Sequence, residues 1–465
     1  MKVVPPPDFS ILQQEFIQHF TSVMQKVGES LALGKIVDDL PFLQINDYSE
    51  FSVTDKKGRY LHWDKFRRIH TTDTRMKWRA VKESRMKIQK PLSFPLSYRF
   101  WFCIPDSLQA KLHLIDKNGG SSVGTSSTHG FSQTEQNRFL LKSLIMEEAI
   151  TSAQLEGAAT TRKVAKDMLR SKRKPKTKDE IMIVNNYRLM QKAVELKDHD
   201  LTMETILYLH RIATENAIDN QAASGAFRSS DDIFIADQDG NCIFQPPPHG
   251  EVATLMRALC EFANTEHDSI QEQFIHPVVK AVILHFLVGY IHPFGDGNGR
   301  TARALFYWFM LKKGYWLFEY LSISRLLKKA PVKYAQSYLY SETDGLDMTY
   351  FIYYQAEIII RTIHDLNQYI IDKQKQMQDF TARIANYTQG LNHRQMGILQ
   401  KALAESGKIF TAQEVAQEYG ISLNTARGDL QKLNQMDLLV QFKSGNAIEY
   451  ISPQNLLSRL ENLKS

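Results

Sequence analysis

Cysteine is scarce in this chain: three residues in 465, Cys103, Cys242 and Cys260, lie far apart. Such spacing argues against a disulfide framework or a zinc site and suits a reducing compartment, so a cytoplasmic location is expected. Long apolar runs are missing too; none approaches the ~18 residues of a membrane span, so no membrane partner is expected. The first residues, Met1-Lys-Val-Val-Pro-Pro-Pro-Asp8, lack the apolar core and cleavage site of a secretion signal. Charge of one sign is in small excess, net +6, which permits a nucleic-acid contact without requiring one. Asp237, Asp239 and Asn241 imitate the start of a calcium loop. Cys242 stands where glycine is needed and Pro248 where a bidentate glutamate belongs, so the segment reads as a turn.

What is present is concentrated between His292 and Arg303, in the order His-Pro-Phe-Gly-Asp-Gly-Asn-Gly-Arg-Thr-Ala-Arg. His292 titrates near neutrality as a residue type and can accept a proton from an attacking alcohol. Gly295, Gly297 and Gly299 permit tight or left-handed backbone, and their N–H groups can form an anion nest. A helix opening near Asn298 adds its unpaired N–H groups and positive dipole end. Asp296 offers a hard oxygen for Mg²⁺ shared with substrate phosphates. Arg300 and Arg303, three apart, share one helix face on which both can grip an outer phosphate. Together these residues suggest phosphoryl or nucleotidyl transfer to a hydroxyl.

The stretch resembles the Fic family pattern His-x-Phe-x-(Asp/Glu)-Gly-Asn-Gly-Arg-x-x-Arg, matching it at every fixed position. The resemblance implies a protein adenylyltransferase that moves AMP from ATP, with Mg²⁺, to a Ser, Thr or Tyr hydroxyl of a target protein. In that family His292 is the base, Asp296 holds the metal, the Asn298–Gly299 turn receives the α-phosphate, and Arg300 and Arg303 hold the β- and γ-phosphates. Ser152-Ala-Gln-Leu-Glu156-Gly157 is similar to the inhibitory signature (Ser/Thr)-x-x-x-Glu-(Gly/Asn), in the class that carries it ahead of the catalytic motif. The resemblance implies that Glu156 pairs with Arg303 in the space of the γ-phosphate. By analogy, Glu156 also orients a water for removal of AMP.

Ile233-Phe-Ile-Ala236 and Cys242-Ile-Phe-Gln245 read as two β-prone runs around a turn. In Fic proteins a hairpin here, after Gly225-x-x-Arg228 and before Pro246, is the flap that clamps the target. Ile233, Phe234, Ile235 and Ala236 are the residues expected against it. His276 and His285 flank or sit in an apolar helix and read as structural. Tyr334 falls near the adenine-pocket tyrosine of relatives, although Lys333 replaces the first of the usual tandem tyrosines. A core role for it stays open.

The expected fold is mainly α: an all-α Fic core with a β-hairpin flap, an N-terminal α+β module and a C-terminal winged helix. The expected divisions are a separate module over 1–117, a Gly/Ser/Thr-rich linker or mobile loop over 118–130, a Fic domain over 131–377 and a winged helix-turn-helix over 391–455. Within the Fic domain fall the inhibitory helix (about 143–157), the flap (about 228–246) and the motif (292–303). In the front module the basic, aromatic stretch 56–90 reads either as a nucleic-acid or acidic-protein surface or, more simply, as a solvated face with anchoring rings. In the tail, Thr411 and Glu414 form a capping box. Asn424, Thr425, Arg427 and Lys432 are placed to face a DNA groove. Two functions therefore compete: an autoinhibited adenylyltransferase, and a DNA-binding regulator using its Fic core as a nucleotide sensor. Relatives that pair through the Fic core leave a homodimer open.

Overall fold

The structure is a computed structural model that describes residues 3–32, 48–95, 97–119, 146–218, 223–236, 240–267, 273–384, 390–405, 407–444 and 447–462. As expected it is mainly α, with three small sheets among the described residues. The 118–130 segment lies outside these residues beyond Gly119, as do the flap tip 237–239 and the first residues of the expected 143–157 helix. No helix among the described residues is long and apolar enough to cross a membrane.

The chain divides into two compact units. The first comprises Met1–Ser122, Arg188–Glu319 and Ile323–Arg361; the second comprises Val123–Tyr187, Tyr320–Ser322 and Thr362–Ser465. The expected separate front module is therefore corrected: its residues share a unit with the motif-bearing helices.

The reason is side-chain interlock. Helices α1 (Phe9–Ala32), α2 (Trp63–Ile69) and α3 (Thr74–Ile88) bury Leu12, Trp63, Phe66, Trp78 and Val81 against one another and against Leu61, just ahead of α2. The rings of the 56–90 stretch are thus core anchors. Its arginines are paired within the chain, Arg67 and Arg68 with Asp64 and Arg75 with Glu15. A two-stranded ribbon, β1 (Lys90–Pro91) with β2 (Trp101–Phe102), follows, and then α4 (Asp106–Gly119). Tyr60 donates to Asp347 (2.6 Å), Lys82 pairs with Asp344 (2.8 Å), and Trp101 Nε1 donates to the Gly345 carbonyl (2.8 Å). These bonds bind the front residues to the turn between α13 (Pro331–Thr343) and α14 (Thr349–Ile384).

At the centre of the first unit α10 (Pro277–Ile291) packs along α11 (Asn298–Lys312). Both are buried nearly all round; α10 is largely apolar, whereas α11 buries Asn298, Arg300 and Arg303 in its first turns. His276 caps α10, accepting from the Val278 N–H, and Pro277 takes the first turn, where its missing N–H costs nothing. His276 also bonds Asp116 of α4 at 3.0 Å, so it is structural. Around this pair lie α8 (Met203–Thr214), α9 (His249–Asn264), α12 (Ile323–Lys329) and the hairpin of β3 (Ile235–Ala236) and β4 (Cys242–Phe244). Helix α7 (Lys178–Glu195) begins in the second unit and ends in the first.

In the second unit the helix 146–155, α5, is followed by α6 (Arg162–Ser171). Glu147 of α5 bonds Arg162 (2.8 Å) and Lys166 (3.3 Å) of α6. Glu148 and Thr151 converge on the Ser322 hydroxyl, at 2.9 Å each, and Asn186 donates to the Ala149 carbonyl at 2.9 Å. The tail forms α15 (His393–Ala404), α16 (Ala412–Tyr419), α17 (Leu423–Gln435), the wing β6 (Val440–Ser444) and β7 (Ala447–Ile451), and α18 (Leu456–Asn462). The Thr411–Glu414 capping box is formed, and Asn392 with Gln395 makes a second one on α15. A strand not expected from the sequence, β5 (Ile409–Thr411), pairs with β7 and closes a three-stranded sheet.

Candidate active site

Helix α10 ends because Pro293 cannot continue it. His292 caps it in the left-handed region, φ 48°, with its N–H on the Val288 carbonyl. Its ring Nδ1 lies 3.3 Å from the Gly289 carbonyl, an oxygen that can only accept. In the neutral imidazole the proton then sits on Nδ1, and Nε2 is the basic nitrogen.

Four ties shape the loop after it. The Asn298 side chain closes it, taking the Phe294 N–H on Oδ1 (2.9 Å) and donating Nδ2–H to the Phe294 carbonyl (2.7 Å). Gly297, at φ 81°, caps α11; a Cβ there would sit 2.7 Å from Thr214 Cγ2, so the position requires glycine. The Asp296 carboxylate accepts from the Gly297 N–H (2.5 Å) and from Arg300 Nη2 (3.2 Å). Arg300, its side chain 0% exposed, also donates to the Ala213 carbonyl at 2.7 Å. Arg300 thus holds the carboxylate and the end of α8. Its Nε is buried without a partner among the described residues. Arg303 is buried as well, and its charge acts on the His285 and Tyr338 rings, along the α13 side.

Two residues matter more than the sequence suggested. Arg228 knots the flap base to the loop: its N–H donates to the Pro293 carbonyl (2.9 Å) and its Nε to that of His292 (3.0 Å). Its other nitrogens reach Ser230, Asp231 and the Pro247 carbonyl. His249 and Arg228 hold the Asp231 carboxyl down to about 2. His210 of α8 lies flat on Phe294, 3.7 Å and 4° apart, with Nε2 2.8 Å from the Asp296 carbonyl and Nδ1 accepting from Gly225 N–H at 3.0 Å. Burial lowers it to about 4, and burial with the Arg303 charge lowers His285 to about 3. In the sequence His210 is one imidazole on the apolar face Ile206, Leu209, Ala213, a pattern that reads as core.

The flap strands are shorter than expected, pairing Ile235 with Phe244 and Ala236 with Cys242. Ile233 and Ile235 are half-buried while Phe234 and Ala236 are exposed, the alternation of a strand with one free face. Phe244 packs on Tyr290 (5.1 Å), two residues before His292, and the front residues Tyr98 and Phe100 pack on the same ring. Tyr334 is half-buried; its hydroxyl meets His285 Nε2 at 2.9 Å and its ring stacks on Tyr354.

Ser152, Glu156 and Gly157 lie in the second unit. Ser152 is buried in α5, and Glu156 is half-buried at its C-cap. Gly157, φ 102°, ends the helix: its N–H bonds the Gln154 carbonyl while that of Ala158 reaches back to Ala153. That is a Schellman stop, which calls for glycine directly after Glu156. No group of three or more His, Cys, Asp or Glu that could hold a metal occurs among the described residues. Asp296, which is one-third exposed (34%), is the carboxylate that would hold a Mg²⁺ ion shared with phosphates.

A helical domain with this loop and flap, followed by a winged helix, defines the class. The chain carries a Fic/DOC family domain over residues 200–310 and a DeoR-like helix-turn-helix domain over residues 394–449. It is similar to the protein adenylyltransferase Fic of Drosophila melanogaster, 35% identical over 116 residues, a match covering 25% of this chain and 21% of that one. The chain thus spans about a fifth of the length of these curated relatives. Among solved structures it resembles a Fic family protein from Desulfovibrio desulfuricans G20, with TM-score 0.45 and 17% identity over 74% of this chain and 94% of that one. Another is Fic-1 from C. elegans, with TM-score 0.42 and 19% identity over 58% and 72%.

Proposed function

We propose that the chain is a protein adenylyltransferase acting on a hydroxyl of a target protein, held off by its own Glu156. The observation that carries this reading is the loop itself: His292 caps α10 with its Nδ1 beside the Gly289 carbonyl, and the Asn298-closed turn after it opens α11. The target oxygen attacks the α-phosphorus of ATP, the bond to the β-phosphate breaks, and pyrophosphate leaves. His292 Nε2 takes the hydroxyl proton as the new P–O bond forms. Mg²⁺ supplies charge neutralisation on the phosphates when bound at Asp296. The N–H groups opening α11 receive the α-phosphate, and Arg303 takes the outer phosphates, with Arg300 steadying Asp296. Phe234 and Ala236, on the open face of β3, register an extended target segment. The signature at Ser152–Gly157 supports Glu156 as the residue that holds transfer down, with AMP removal as its second use. Tyr334, bonded to His285, borders the nucleoside side.

Incubation of the full chain with α-labelled ATP and Mg²⁺ tests the reading. Glu156→Gly is expected to label itself or lysate proteins at least about tenfold more than wild type, the gain from restoring one charge-assisted phosphate contact. A Glu156→Gly chain that incorporates no label would sink the proposal.

A second reading concerns the tail. The exposed face of α17 carries Asn424, Thr425, Arg427 and Lys432, while its acidic residue, Asp429, is buried against Arg394 and Gln395. That face lacks negative charge and suits a DNA groove. DNA binding by the full chain should weaken as salt rises, with a log–log slope of about −2 to −4 for a few phosphate contacts. A flat salt response would reassign the face to a protein contact.

A further inference from the structure

We infer that His210, which lies beneath the loop, is the positioning residue that aims the phosphate-binding peptide, and this inference rests on the nucleotidyl-transfer reading above. Its imidazole makes three contacts at once. The ring stacks on Phe294 at 3.7 Å, Nδ1 takes the Gly225 N–H at 3.0 Å, and Nε2 lies 2.8 Å from the Asp296 carbonyl. A backbone N–H can only donate, so Nδ1 is the acceptor and the proton is on Nε2, which donates to Asp296.

The consequence follows from peptide geometry. The Asp296–Gly297 peptide is trans, so its C=O and N–H lie in one plane and point in opposite directions. Drawing the Asp296 carbonyl down to α8 turns the Gly297 N–H away from α8, to the side where Asp296 Oδ1 now accepts it at 2.5 Å. An anionic oxygen already occupies that donor, which marks it as one that an anion can take. Gly297 leaves the room this requires, since a Cβ there would stand 3.2 Å from His210 Nε2. His210 thereby ties one imidazole to the loop, to α8 and, through Gly225, to the segment leading into the flap.

Three substitutions separate the contacts. His210→Gln keeps a donor near the Nε2 position, His210→Asn keeps an acceptor near Nδ1, and His210→Phe keeps only the stacked ring. Each is made in the full-length Glu156→Gly chain. Binding of a non-hydrolysable ATP analogue with Mg²⁺ is followed by calorimetry, and thermal midpoint is measured alongside. The Phe and Asn variants are expected to bind about tenfold more weakly, and Gln to recover to within about threefold of the parent, whatever their order of thermal stability. The inference is overturned if the Phe and Asn variants bind as the parent does, or if affinity follows thermal midpoint through the series with Gln no better than Asn. Failure of the underlying reading is separate: there the parent itself neither binds the analogue nor transfers label.

Discussion

In a chain already carrying Glu156→Gly, His292→Ala is expected to lower AMP transfer by about 10²–10⁴-fold, the usual contribution of a general base. ATP affinity should stay within about twofold, because the interaction lost is made only during the chemical step. The structure supports that split. The backbone of His292 is tethered independently of its ring, with the N–H on Val288 and the carbonyl on Arg228. Its φ of 48° is a place where alanine is strained, so His292→Asn, which tolerates the left-handed region, is the control for backbone effects. Both variants should be equally inactive; full transfer by His292→Asn would remove the imidazole from the mechanism. The other two imidazoles near the site, at about 4 and about 3, are neutral above pH 5. An acid limb in the rate between pH 5 and 8 therefore cannot be theirs.

How much of this could be read from the sequence depended on how far apart the partners lie in the chain. The motif was legible because base, nest and arginines fall within twelve contiguous residues, and helix α11 starts where its glycines and Asn298 place it. The winged helix was legible from local signals, a capping box and a hairpin turn, although β5 is only three residues long and ends in the cap residue Thr411. Contacts between distant residues were not legible. His210 meets Asp296 across 86 positions, and nothing in the composition of α8 distinguishes it from a core histidine. Spacing alone makes Arg300 a phosphate grip, yet its guanidinium also braces Asp296 and the Ala213 carbonyl, a duty set by where α8 ends. The front module failed as a separate domain for the same reason. Its basic residues look solvated in sequence, whereas Lys82 and Arg85 find their partners more than 260 positions away.

Replacing Arg85 is expected to cost the first unit about 3–5 kcal/mol, the range for breaking a buried ionic network by removing one member. Arg85 is 1% exposed. Its guanidinium donates to Tyr350 Oη (2.6 Å), to the Leu61 carbonyl (2.9 Å) and to that of Val53 (3.3 Å), and it stacks 3.6 Å from the centre of the Tyr60 ring. Beyond Tyr350 lies Asp344, which accepts its hydroxyl at 2.7 Å and which Lys82 keeps ionised against burial. Burial raises Asp347 instead, so the cluster depends on its two cations to carry two carboxyls. Arg85→Met keeps most of the volume and removes the donors, leaving two backbone carbonyls unsatisfied and the acids with Lys82 alone. Arg85→Lys should recover little, because a single ammonium cannot reproduce the planar fork or its stacking. Denaturant titration of the full chain, followed by tryptophan fluorescence, gives the change. A double-mutant cycle with Tyr350→Phe should show at least about 1 kcal/mol of coupling, as residues sharing one network do. A loss below about 1 kcal/mol for Arg85→Met would mean that the front residues are held to the α13–α14 turn by apolar packing, with the ionic network a passenger.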